Sequence, residues 1–106
     1  MRKLLILVFA LLAMMQTAQA QDRRVRLINE SHLTINEFRA SNINRRNWEE
    51  DILGRRVLKP GQSIVINLSD GSGQCRFDFQ TTMSNGRKIE KRNVDVCRLE
   101  TYRITD

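Results

Sequence analysis

Hydrophobic positions along this chain follow two patterns. Leu4 to Met15 form an almost unbroken apolar run, with Met1, Arg2 and Lys3 before it and Ala18-Gln19-Ala20 after it. The apolar stretch is shorter than the ~20 residues that span a bilayer. A basic start, a short apolar run and a small-x-small site are the parts of a secretory signal peptide, predicted over residues 1–20 with cleavage after Ala20. No cysteine follows that site to carry a lipid. Residues 21–106 are then expected to form a single domain, with no stable membrane insertion after cleavage.

After Gln21 apolar and polar residues alternate, which is the signature of half-buried strands. Val25-Arg26-Leu27 opens a strand that ends at the polar turn Asn29-Glu30-Ser31. His32 to Ala40 follows, with Leu33 and Ile35 on one face; Phe38 falls out of phase, so a bulge is expected near Glu37. Lys59-Pro60-Gly61-Gln62 is a tight turn leading into Ser63 to Leu68, whose Ile64, Ile66 and Leu68 point inward. Cys75, Phe77 and Phe79 share a face, Ser84-Asn85-Gly86 signals a hairpin, Arg87 to Val96 returns, and Leu99 to Ile104 follows.

The segment from Ser41 to Gly54 has a different rhythm and predicts one short helix. Asn47 is a suitable N-cap, and Glu50 three residues later completes the spacing of a capping box. Glu49, Glu50 and Asp51 would lie in the first turn, where the helix dipole favours negative charge. Trp48 and Ile52 share a face at helical spacing, and Gly54 is placed to end the turn.

Cys75 and Cys97 are equidistant from Gly86. A hairpin turning there brings them opposite each other at its open end, so a disulfide is expected. Even cysteine counts in exported chains point the same way. Val94 and Val96 are out of phase with Cys97, which calls for a bulge between Lys91 and Asp95. These elements predict an all-β fold: a small immunoglobulin-like antiparallel sandwich of six to seven strands with one short helix and one disulfide. A partly open β-barrel is the alternative. The expected core is Leu27, Leu33, Ile35, Phe38, Trp48, Leu58, Ile64, Ile66, Leu68, Phe77, Phe79, Ile89, Val96 and Tyr102.

Composition narrows the chemistry. The charge of +6 drops to +4 when Arg2 and Lys3 leave with the leader, and the arginines are scattered rather than run together. His32 is the only histidine, and no nucleophile motif, phosphate loop or zinc-ligand spacing accompanies it. No catalytic residue, cofactor or metal is therefore assigned. A cation held by Glu49 to Asp51, or by Asp70 in its glycine-rich turn, is the weaker alternative, and with it a metal-dependent enzyme. The interaction candidates are Trp48, Arg45, Arg46, Arg55 and Arg56. They suit an exported non-enzymatic protein that binds a protein or envelope component, or a module for polyanions using surface arginines. Strand edges of so small a sandwich invite pairing, either as a dimer or as a donor-strand contact, and the sequence assigns no oligomeric state.

Trp48-Glu49-Glu50-Asp51-Ile52-Leu53-Gly54 and Leu58-Lys59-Pro60-Gly61-Gln62-Ser63 read as W-x-x-D-x-L-G-x-x-x-L-x-P-G-x-S. Cys75-Arg76-Phe77-Asp78, Asn85-Gly86 and Val94-Asp95-Val96-Cys97 follow. In this order the chain resembles a group of uncharacterised small exported proteins of Gram-negative proteobacteria, over about Val25 to Ile104. That pattern has a small residue after the tryptophan and Asp-Gly at the hairpin tip, where this chain has Glu49 and Asn85. The resemblance implies a periplasmic or secreted setting and carries no activity.

Overall fold

Alternate burial organises the first strand, β1 (Arg24–Asn29): Val25, Leu27 and Asn29 are buried, while Arg24 and Arg26 face solvent. In the computed structural model, residues 22–106 are described; the predicted signal peptide and its cleavage site lie outside them. Five strands follow: β2 (Ile35–Asn42), β3 (Ser63–Asn67), β4 (Arg76–Met83), β5 (Lys88–Asp95) and β6 (Thr101–Ile104). They form two three-stranded sheets, ordered β3-β1-β6 and β2-β4-β5, which enclose one core in the manner of a sandwich. Among the described residues no helix is long and apolar enough to cross a membrane.

Phe38, Phe79 and Tyr102 sit at the centre, with ring centroids 5.1 to 6.3 Å apart in tilted arrangements. Such ring pairs add about 0.5–1.5 kcal/mol beyond their buried area. Because Tyr102 belongs to β6 and the phenylalanines to β2 and β4, this cluster joins the two sheets. Asn29, at the end of β1, is also fully buried, yet its amide is satisfied: Nδ2 donates to the Leu33 and Leu58 carbonyls at 2.8 and 2.9 Å, and Oδ1 accepts from Ser31 N at 3.0 Å.

The β4–β5 hairpin turns at Ser84-Asn85-Gly86, where Gly86 takes φ +84° and Asn85 Oδ1 accepts from Arg87 N at 3.0 Å. At its open end Val96 N donates to Cys75 O at 2.8 Å, and the Cys75–Cys97 disulfide closes the hairpin across a Cα–Cα distance of 5.3 Å. Both expected bulges are present. The β2–β4 register shifts between Ile35 and Glu37, and the β4–β5 register shifts opposite Asp78, where Arg92 and Asn93 stand against one residue.

Three expectations need correction. The sheets are not wholly antiparallel: β6 pairs with β1 in parallel, with Arg26 opposite Thr101 and Leu27 opposite Tyr102. After Cys97 the chain crosses to the other sheet and runs alongside β1 in the same direction, a pairing that needs a long connection rather than a hairpin.

The short helix is absent, and 45–58 is an irregular segment held along the outer edge of β2. Glu49 N donates to Ser41 Oγ at 2.7 Å, Ile52 N to Phe38 O at 2.8 Å, and Ile35 and Leu58 exchange both backbone bonds. The edge of β2 thus takes the donors that a helix would have used internally, and tertiary pairing outweighs a local helical preference of the order of 1 kcal/mol.

Trp48 is not in the core either. Being outside a helix, it turns away from Leu53, which alone of that segment's apolar residues is buried with Leu58. Leu33, Ile64 and Ile89 are only half-buried against the core, and Val25, Ala40, Met83, Val94 and Ile104 complete it.

Candidate functional site

Antiparallel register puts directly opposed residues on one face, so the outer face of the β2-β4-β5 sheet carries Arg39 and Gln80, then Ser41 and Asp78. This face is polar throughout. Its end is organised by the β5 bulge, where Asp78 accepts Asn93 N at 2.9 Å on one oxygen and the Arg92 guanidinium at 3.2 Å on the other. Arg92 also donates to Glu90 at 2.8 Å, and Gln80 Nε2 donates to the second oxygen of Glu90 at 3.1 Å. The Gln80 bond and then the Arg92 bond hold the Glu90 carboxyl below its usual range, while Glu90 and then Asp78 raise the Arg92 guanidinium.

Trp48 packs against Arg92 at this end of the face. The Arg92 guanidinium carbon is 4.9 Å from its ring centroid, within cation–π range and worth about 0.5–1 kcal/mol at an exposed position. Two anchors hold the loop that carries it: Glu49 N on Ser41 Oγ, and Arg39 Nη1 donating to Glu49 O at 3.0 Å. Arg45 pairs with Glu49 at 3.0 Å. Ser41, Arg45, Arg46, Asn47, Trp48, Asp78 and Arg92 line a depression of about 80 Å³. A half-exposed aromatic ring fixed under a guanidinium offers flat contact area at little entropic cost, which suits recognition rather than bond-making.

Trp48, Arg45 and Arg46 are therefore brought together, whereas Arg55 and Arg56 are not. Arg56 belongs to a different cavity of about 300 Å³, lined with Leu53, Val57, Leu58 and Ile64. Arg92 and Asp78 escaped the reading of candidate residues. The phase conflict between Val94 and Cys97 marks the bulge that carries Arg92, whereas no sequence signal marks Asp78 opposite it.

The two acidic candidates share a third cavity, also about 300 Å³, lined by Glu49, Glu50, Asp51 and Asp70 with Ile52 and Leu68. Their carboxylates have internal work. Asp51 Oδ1 accepts Phe38 N at 2.8 Å and Leu53 N at 3.1 Å. Asp70 accepts Asn42 Nδ2 at 2.9 Å and both Ser72 donors, at 3.0 Å from N and 2.5 Å from Oγ. Burial raises the Asp70 carboxyl, but the Ser72 and Asn42 bonds outweigh it and hold it low. Among the described residues, only Cys75, Asp95 and Cys97 have ligand atoms close enough to share a metal ion, and the disulfide consumes both sulfurs. His32 lies on the surface, with its backbone N–H on Asp106 Oδ1 at 3.0 Å and its ring against Asp106 Oδ2.

The disulfide points to an oxidising setting outside the cytoplasm. No family model matches this chain, and no curated protein does. Its fold is similar to that of a protein from Eubacterium rectale determined by NMR, with a TM-score of 0.52 and 17% identity, covering 85% of this chain and 80% of that one; at such identity the likeness is one of fold alone.

Proposed function

We propose that this chain is an exported, non-enzymatic β-sandwich protein of the periplasm or exterior that binds a protein or envelope component through the surface around Trp48. The observation that carries the reading is the placement of Trp48, half-buried under Arg92 on a polar sheet face instead of in the core. The Cys75–Cys97 staple, the leader-like residues 1–20 and the resemblance to small exported proteobacterial proteins support the address. The oxidised protein should capture a partner from a periplasmic extract, and Trp48→Ala should lose that partner while melting at the same temperature. Because Trp48 is the only tryptophan, its emission reports on this surface alone. Capture unaffected by Trp48→Ala, or a hydrolytic activity abolished by His32→Ala, would overturn the reading.

A second reading is a module for polyanions. It is favoured by Arg46, Arg55 and Arg56, none of which has a carboxylate partner among the described residues. Retention on a heparin-like resin that falls steeply with salt is the expected behaviour, since phosphate or sulfate contacts release counterions. Retention indifferent to salt would remove this reading.

A further inference from the structure

Leu68 N donates to Arg23 O, and Asn29 N to Gln62 O, both at 3.0 Å. These bonds at the two ends of the β1–β3 ladder fix its phase. Gln62, Ile64, Ile66 and Leu68 use their backbone toward β1, so Ser63, Val65 and Asn67 aim N–H and C=O away from the sheet. No described residue pairs with those outward groups.

The other three sheet edges are treated differently. That of β2 is covered by the 49–58 segment, β5 is bulged and strongly charged, and β6 has only four residues. Covering, bulging, charging and shortening are the usual ways to blunt an edge. β3, one residue longer than β6, is neither paired along its outer edge by another described segment nor bulged nor charged. Val65 at its middle is 49% exposed, and Val57 and Ile52, which line the cavities beside it, are 44% and 38% exposed.

We infer that the free edge of β3 is a docking site for an extended peptide segment of a partner protein, added as a further strand. The cavities at its two ends define what the segment must carry. At Ile64 lies a cavity whose apolar lining is Leu53, Val57 and Leu58, with Arg56, Gln62 and Ser63 also lining it. At Asn67 and Leu68 lies the acidic cavity with Glu50, Asp51 and Asp70, and no basic residue lines it. Side chains of an added strand that face Ile64 and Leu68 point to the same side as those residues and lie four positions apart. The segment therefore presents a basic side chain at one end and an apolar one four positions away. Main-chain bonds to Ser63, Val65 and Asn67 supply affinity, and the two cavities supply selectivity.

This inference goes beyond the Trp48 reading and uses none of its residues. The test is fluorescence anisotropy of the oxidised protein with labelled Thr/Val peptides carrying Lys and Leu at that spacing, in both orders. One of the two should bind, and replacing its Lys by Glu should weaken binding at least about tenfold, as removal of one charge-assisted contact of about 1.5 kcal/mol does. Val65→Pro removes an outward donor without touching the β1 ladder and should abolish binding. Val65→Lys should do the same at an exposed position that tolerates charge, which keeps the test valid if the proline variant fails to fold. Trp48→Ala should leave peptide binding intact, so the two surfaces fail separately. Absence of binding to either peptide, or binding indifferent to both Val65 variants, would overturn the inference. A homodimer dispersed by Val65→Lys would overturn it too, by assigning the edge to a second copy of this chain.

Discussion

Asp51 and its neighbour Ile52 between them close both backbone groups of Phe38. The Asp51 carboxylate accepts Phe38 N at 2.8 Å, and Ile52 donates its own N–H to Phe38 O at 2.8 Å. The pair thus fixes an irregular loop as a substitute strand along β2. Asp51→Ala leaves the Phe38 and Leu53 N–H groups without their acceptor and should lower stability by roughly 1–3 kcal/mol. Asp51→Asn, which keeps Oδ1, should cost less. Urea unfolding of the two variants checks the order.

The Cys75–Cys97 disulfide closes a loop of sequence separation 22 around the β4–β5 hairpin. Loop-closure entropy sets its contribution at about 3 kcal/mol. The Cys75→Ser/Cys97→Ser double variant should lose that amount in urea, and the wild type in reductant should match it.

Asn93 occupies the left-handed region at φ 57°, held by the Asp78 carboxylate on its N–H. Asparagine tolerates this conformation and glycine adopts it freely, whereas a β-branched residue does not. Asn93→Gly should stay within about 1 kcal/mol of wild type, and Asn93→Val should lose roughly 1–3 kcal/mol, measured by thermal melting. Asp78→Ala also removes one of the two carboxylates that hold Arg92, leaving it on Glu90 alone, so the Trp48 emission should shift to the red.

Two carboxylates predict the acid limb of the stability profile. Burial raises Asp70, but its Ser72 and Asn42 bonds leave it low, and the Gln80 and Arg92 bonds lower Glu90. A group with a depressed folded pKa stabilises the fold above its unfolded value, near 4, and loses that contribution as pH falls through the folded value. Melting temperature should therefore be insensitive to these groups from pH 7 to about 5 and decline below about 4. Asp70→Asn should flatten part of that decline.

Strand alternation made much of this fold legible. Leu27, Ile66, Phe77 and Phe79 announce their faces, and the phase breaks at Phe38 and Val94 mark real bulges. The pairing of the cysteines was readable from their placement about Gly86. The 45–58 segment was not, because capping signals in Asn47 and Glu50 are local, while the edge of β2 that claims Asp51 and Ile52 is formed by distant residues. The parallel placement of β6 was equally hidden: nothing within Thr101–Ile104 states its direction relative to β1. Trp48 followed the helix into error, since its expected burial depended on helical spacing.

β1 is the middle strand of its sheet, although it precedes every other strand along the described chain. One neighbour is β3 and the other is β6, the last strand of all. The hairpin of β4 and β5 can form from adjacent residues, but the β3-β1-β6 sheet cannot close until the two ends of the domain meet. Loop-closure entropy makes such pairings slow relative to hairpins. Acquisition of the native state should thus be paced by the docking of Thr101–Ile104 on β1, leaving the early-formed hairpin waiting beside an unfinished partner sheet.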